Sequence, residues 1–186
     1  MAGNTIVGNE STMDGGGIVC GSGTHRIIGN RIFNNVIRQP RGGRVFGGGG
    51  LSFYSSTNLT VANNLFMNNE VIGLTSKMNG GGIFSDATSS ANIINNTLVG
   101  NRADGVGGAI YLEATNLVVL ANNLVSSNSS GITATTHTVF SHKSKTIPQQ
   151  KNINGLLAPH GPDAASNRPS APESSLLVIP TASNPI

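Results

Sequence analysis

Residues 95–101 read NNTLVGN: an asparagine doublet, a three-residue run with one large apolar side chain at its centre, and a polar corner ending in asparagine. Four further copies of this pattern stand in the chain, GNTIVGN at 3–9, GNRIFNN at 29–35, NNLFMNN at 63–69 and NNLVSSN at 122–128. A second pattern alternates strictly with the first. It is a glycine run ending on an aliphatic residue, GGGI at 15–18, GGGL at 48–51, GGGI at 80–83 and GGAI at 107–110, with a worn SGI at 130–132.

The spacing between the two patterns is informative. From Ile18 to Asn30, Leu51 to Asn64, Ile83 to Asn96 and Ile110 to Asn123 the separations are 12, 13, 13 and 13 residues. The return path varies, with 5, 12, 10 and 5 residues between Asn9, Asn35, Asn69 or Asn101 and the next glycine run. One constant half and one variable half is the signature of a solenoid whose coils are held on one side and carry loops on the other.

Side-chain alternation then selects strands over helices. After each glycine run the pairs Ile18 and Cys20, Leu51 and Phe53, Ile83 and Ser85, Ile110 and Leu112 fall two residues apart and face one way. A second run places Ile27, Val61, Ile93 and Leu120 at matching positions, and a third places Ile6, Ile32, Phe66, Leu98 and Val125 between the asparagine corners. Repeated Gly and Asn doublets would break helices of this period. The expected fold is all-β: a parallel β-helix of about five coils, three short strands per coil, with strands stacked about 4.8 Å apart. Asn suits its corners twice over. It tolerates left-handed backbone, and amides stacked at one position can hydrogen-bond from coil to coil. Asn35, Asn69, Asn101 and Asn128 form one such expected column.

Composition agrees and excludes other classes. The 186 residues include 25 Gly and no Trp, and only 10% are charged, which suits many turns and short strands. A net charge of +3 with scattered basic residues gives no nucleic-acid surface. The one cysteine, Cys20, lies in an apolar strand and excludes an internal disulfide or a cysteine-based zinc cluster. No apolar stretch is long enough for a transmembrane helix, and no signal peptide is visible at the start. The matches to glycosylation sequons (NES, NLT, NNT, NSS) are what an Asn-rich repeat produces by chance.

The paired GG[AG][IL] and [IFLV]-x-x-N motifs resemble the repeats of polymorphic outer-membrane-protein-like β-helix proteins, within the pectate-lyase-like superfamily. The resemblance covers residues 3–132. It implies a right-handed coil and an extracellular or outer-cell-surface protein, mostly bacterial, acting as a structural or adhesive module. Its partner would be a polysaccharide or a host or cell-surface glycan. Relatives of this fold also include lyases, hydrolases and epimerases, so an enzyme stays open as an alternative. The repeats occupy 1–136. Residues 137–186, rich in Pro, Ser and Asn, are expected to form an irregular tail. The missing signal and closing motifs suggest a fragment of a longer protein, in the extreme a gene fragment without a function of its own.

Candidate chemistry lies beside the inward residues. If Ile83 and Ile110 face the core, their neighbours face outward, placing Phe84 beside Tyr111 and Asp86 beside Glu113 on adjacent coils, with Tyr54 one coil below. Two carboxylates about 5 Å apart would suit a retaining glycosidase, and exposed rings would suit stacking on sugars. Tyr54, Phe84, Asp86, Tyr111 and Glu113 are therefore glycan-binding candidates on a flat open face, with Asp86 and Glu113 the catalytic pair of the enzyme alternative. The resemblance implies more for catalysis, since lyases of the fold use calcium-binding acids plus a basic residue and hydrolases use three aspartates. Neither set is visible in these columns. A calcium site would also want clustered oxygens and stays open, but the spacing does not support one, so no cofactor or metal is expected. Arg38, Arg41 and Arg44 form the single basic cluster, read as a solvated loop or as a contact for an acidic glycan or lipid headgroup. His25 falls at the edge of the second run, and His137, His142 and His160 lack metal-ligand spacing.

Overall fold

A computed structural model describes residues 1–39, 46–73, 78–86, 88–113, 117–134 and 138–141. All regular structure among the described residues is β-strand, and each strand pairs in parallel with its counterpart one coil away. The three runs read from the repeats become three five-stranded sheets. The first sheet stacks Ile18–Cys20, Leu51–Phe53, Ile83–Ser85, Ile110–Leu112 and Ile132–Ala134. The second stacks Arg26–Ile28, Leu59–Ala62, Ala91–Ile94, Val118–Ala121 and Thr138–Ser141. The third stacks Thr5–Val7, Arg31–Phe33, Leu65–Met67, Thr97–Val99 and Leu124–Ser126.

The register is the one that the spacing requires. Leu51 lies between Ile18 and Ile83, Val61 between Ile27 and Ile93, and Phe66 between Ile32 and Leu98. These columns meet in one apolar core running the length of the coil. Burying each such side chain contributes about 1.5–3 kcal/mol relative to leaving it in water. Cys20 joins this core, where burial raises its thiol pKa.

The coil departs from three strands by adding a fourth, four-stranded sheet and a separate two-stranded pair. Glu10–Ser11, Val36–Gln39, Glu70–Gly73 and Arg102–Ala103 pair in parallel, and Phe46–Gly47 pairs with Met78–Asn79. These runs lie in the half whose length varies, and strands of two to four residues there share no motif. They form because the asparagine corner before them is stacked, so the chain leaves each corner already in register with its neighbour. A small second core, Ile37, Val71, Met78 and Ala103, sits behind them. Past the boundary expected at 136, Thr138–Ser141 pairs with Val118–Ala121 and carries the second sheet onward. Residues 142–186, the rest of the tail expected over 137–186, lie outside the described residues.

Each corner divides two tasks between adjacent residues. The first residue takes the left-handed backbone: Asn63, Asn95 and Asn122 at φ 57, 55 and 53° before the third sheet, Asn34 and Asn68 at φ 54 and 52° after it. Where asparagine does not fill this position, Gly3, Gly8, Gly29 or Gly100 does, at φ 64–67°, and at the last corner Ser127, at φ 54°. The second residue turns inward and joins a ladder. In the expected column, Nδ2 of Asn9, Asn35, Asn69 and Asn101 donates to Oδ1 of the next asparagine up, ending at Asn128, at 2.8, 3.0, 3.0 and 2.9 Å. A second ladder, which the repeats did not announce as a column, links Asn4, Asn30, Asn64, Asn96 and Asn123, each Nδ2 to Oδ1 step being 3.0 Å. The GN and NN doublets, and the SN at 127–128, are thus one bend and one rung.

The glycine run is dictated by close approach as well as by turning. Gly80 has φ +68°, and a side chain there would strike the Ile83 carbonyl and the Phe84 Cβ. At Gly81 a Cβ would land on the backbone oxygens of Arg102 and Gly108. Backbone packs on backbone here, which only glycine allows.

Candidate functional site

The outer face of the first sheet carries the candidate residues, and the register brings them together as expected. Phe84 lies opposite Tyr111, and one strand end further Asp86 follows Ser85 where Glu113 follows Leu112. The rings form a continuous row, one pair stacked and one tilted. Phe84 and Tyr111 lie 5.6 Å apart between centroids at 15°, and Tyr54 and Phe84 lie 5.9 Å apart at 46°.

The face is not open, and this corrects the expectation of an exposed aromatic platform. Phe84 is 2% exposed and Tyr111 9%, while Ser52, on the same column, is fully buried. The cover comes from the variable half folding back over the sheet. A side chain on Gly47 would collide with the Phe84 ring, one on Gly107 would meet the Tyr111 Cβ, and the Ser52 hydroxyl donates to the Gly47 carbonyl. Alternation assigns Phe84 and Tyr111 to the outward side correctly. It says nothing of a second layer laid over that side.

Tyr54 is half-buried, with Ser52 and Asp14 beside its hydroxyl. Burial raises its pKa, and the charges of Asp14 and Asp86 raise it further. Burial, and then Glu113, raises Tyr111 as well. Asp14 was not among the candidates. It reaches the site from the variable half, where no fixed spacing could point to it.

Asp86 is engaged in its own turn. Its Oδ1 accepts from the Ser89 hydroxyl at 2.7 Å and the Thr88 N–H at 3.2 Å, and its Oδ2 from the Thr88 hydroxyl at 2.8 Å. Both oxygens also face the Ser55 N–H of the preceding coil at 3.3 Å. The carboxylate thus closes an Asx-type turn and ties it to the coil below. Ser89 in turn accepts from the Ser56 N–H at 3.1 Å, so the staple reaches two residues of that coil. Glu113 is half-buried at the equivalent place one coil on.

The remaining candidates lie apart. Arg38 is exposed in the fourth sheet, and its Nε is 3.6 Å from Glu10. Arg41 and Arg44 lie outside the described residues. Arg102 pairs with Asp104 at 2.6 Å, and the Asp104 carboxylate also accepts from the Gly73 N–H at 3.0 Å. His25 is half-buried at the edge of the second sheet, its Nε2 3.1 Å from the Gly21 carbonyl oxygen. His137, His142 and His160 lie outside the described residues. Among the described residues no group of three or more His, Cys, Asp or Glu could hold a metal ion, and no helix is long and apolar enough to cross a membrane.

Parallel strands stacked coil on coil, asparagine ladders at two corners and an apolar column within define a parallel β-helix solenoid. A family model described as a right-handed β-helix region matches residues 1–145, and the chain belongs to that family. No match was found among curated proteins or among solved structures.

Proposed function

We propose that this chain is a structural module, an extracellular or cell-surface β-helix that holds a rigid surface for adhesion, with a glycan as the partner class. The observation that supports this reading is the engagement of Asp86. Its carboxylate accepts bonds from Ser55, Thr88 and Ser89, which occupies the lone pairs that a general acid, nucleophile or metal ligand would offer. The buried rings of Phe84 and Tyr111 act in the same sense, as packing rather than as a sugar platform. Glycan contact on this reading falls to exposed positions, with Arg38 the exposed member of the basic cluster among the described residues.

The test is a pair of assays on the full chain. Incubation with a panel of acidic and neutral polysaccharides, read by new reducing ends and by absorbance of unsaturated products, is expected to show no turnover. A glycan array is expected to show binding that Arg38→Ala weakens and that Asp86→Asn leaves unchanged. Turnover abolished by Asp86→Asn and by Glu113→Gln would overturn the proposal in favour of a carbohydrate-active enzyme.

A further inference from the structure

The third sheet, like the second with its half-buried column of Ile28, Ala62, Ile94 and Ala121, carries apolar residues on its outer face, and here the side chains are larger. Its inner side buries Ile32, Phe66 and Leu98, yet six of its ten outward positions are also apolar: Val7, Phe33, Leu65, Met67, Val99 and Leu124. Val7, Phe33, Met67 and Val99 stand in register as one stripe across four coils. Val7 is 47% exposed and the other five are half-buried. On the first sheet's outer face Ser52, Phe84 and Tyr111 are covered, and only Val19 at its end is exposed. The third sheet's face is left in contact with water, which disfavours a continuous apolar stripe.

We propose that the face is the docking site of the chain's own residues 176–179, LLVI. That run is the longest apolar stretch after Ser141, and it is set off by Ser175 before it and Pro180 after it. Reach is not limiting. The 34 residues 142–175 can span on the order of 110 Å when extended, against a face about 24 Å tall for five stacked strands. Size favours a tethered occupant over a second copy. Three residues of strand by five strands give roughly 240 Å², well below the ~800 Å² per partner of a stable free dimer. A segment tethered to the same chain is held at an effective concentration of about millimolar and needs far less area. Charge agrees too. Arg31 is exposed on this face without a carboxylate partner among the described residues, and Glu173 precedes the run by three positions.

The test is disulfide trapping in the full chain. Met67→Cys is combined with Val178→Cys, and the control combines Val178→Cys with Val106→Cys, an exposed position away from the third sheet. Each pair is equilibrated in a glutathione redox buffer and resolved by mass spectrometry. The Met67 pair is expected to close within one chain with an effective molarity at least tenfold above that of the control. Val99→Cys in place of Met67→Cys repeats the measurement one coil on, should the first variant fold poorly. Equal effective molarities would overturn the proposal, because the tether alone would then explain closure. A disulfide between two chains would overturn it in favour of a second copy on this face.

Discussion

Truncating Asn69 to alanine tests the ladder where it is most fully buried. Asn69 is 0% exposed and its side chain makes four hydrogen bonds. Oδ1 accepts from the Asn35 N–H at 3.2 Å and the Asn35 amide at 3.0 Å, and Nδ2 donates to the Ile32 carbonyl at 2.9 Å and Asn101 Oδ1 at 3.0 Å. Some partners keep a second bond after truncation. Asn101 Oδ1 retains the Asn69 N–H at 3.0 Å, and the Asn35 amide retains the Ile6 carbonyl at 3.0 Å. The Asn35 N–H loses the acceptor it has in Asn69. Four lost bonds at about 0.5–1.5 kcal/mol each, weighted upward for the buried donor left unsatisfied, give a cost of about 4 kcal/mol. That is a large part of the 5–15 kcal/mol typical of a domain. Asn9 sits at the exposed end of the same ladder, and its side chain makes the single bond to Asn35 at 2.8 Å, so Asn9→Ala should cost about 1 kcal/mol. Asn68, next to Asn69, is exposed at φ 52° and serves as the bend, so Asn68→Gly should change stability by less than about 0.5 kcal/mol. Equilibrium urea unfolding followed by far-UV circular dichroism measures all three. A cost for Asn69→Ala no greater than that for Asn9→Ala would refute the ladder as a source of stability.

Further outcomes follow from the packing. Phe84→Ala should cost about 3–5 kcal/mol by urea unfolding, as a buried ring does, whereas a loss under about 0.5 kcal/mol would mark Phe84 as an exposed platform residue after all. Gly81→Ala places a methyl on the Arg102 and Gly108 carbonyl oxygens and should cost on the order of 3 kcal/mol, seen as a lowered unfolding midpoint. The chain's two tyrosines, Tyr54 and Tyr111, both have raised pKa values and there is no Trp, so phenolate absorbance near 295 nm should rise with a midpoint above the ordinary value of about 10 in the native protein and at that value in denaturant. Because the unfolded state then releases its protons first, stability is fully present below about pH 10 and falls as pH rises beyond it. A native midpoint at the ordinary value would contradict the burial of both rings.

Much of this architecture is legible in the chain because its repeat is rigid where it matters. Thirteen residues from Leu51 to Asn64 and from Ile83 to Asn96 fix the register of three sheets, and the core columns follow from period-two alternation alone. The fourth sheet is not legible, since Glu70–Gly73 and Arg102–Ala103 share neither length nor motif, and their pairing is inherited from the corner beneath them. The doublet Asn95–Asn96 shows that a corner exists. Which asparagine bends and which bonds depends on backbone angles that a composition of identical residues conceals. The membership of the site is legible except for Asp14, and its surroundings are not. Asp86, Glu113, Phe84 and Tyr111 do gather, but Gly47 and the strands beside it close over the rings, and variable loops carry no period from which that cover could be read.

The central claim is that Asp86 serves the fold. Its direct measure is the urea unfolding free energy of Asp86→Asn, taken with the polysaccharide assays on the same preparation. Replacing one carboxylate oxygen by an amide turns an acceptor toward the donors of Thr88, Ser89 or Ser55, and charge-assisted bonds of this kind are worth about 1.5–3 kcal/mol each. The variant should therefore lose about 2 kcal/mol, with no change in polysaccharide turnover. Unchanged or increased stability, together with loss of a depolymerising activity present in the native chain, would contradict the claim and assign Asp86 to chemistry.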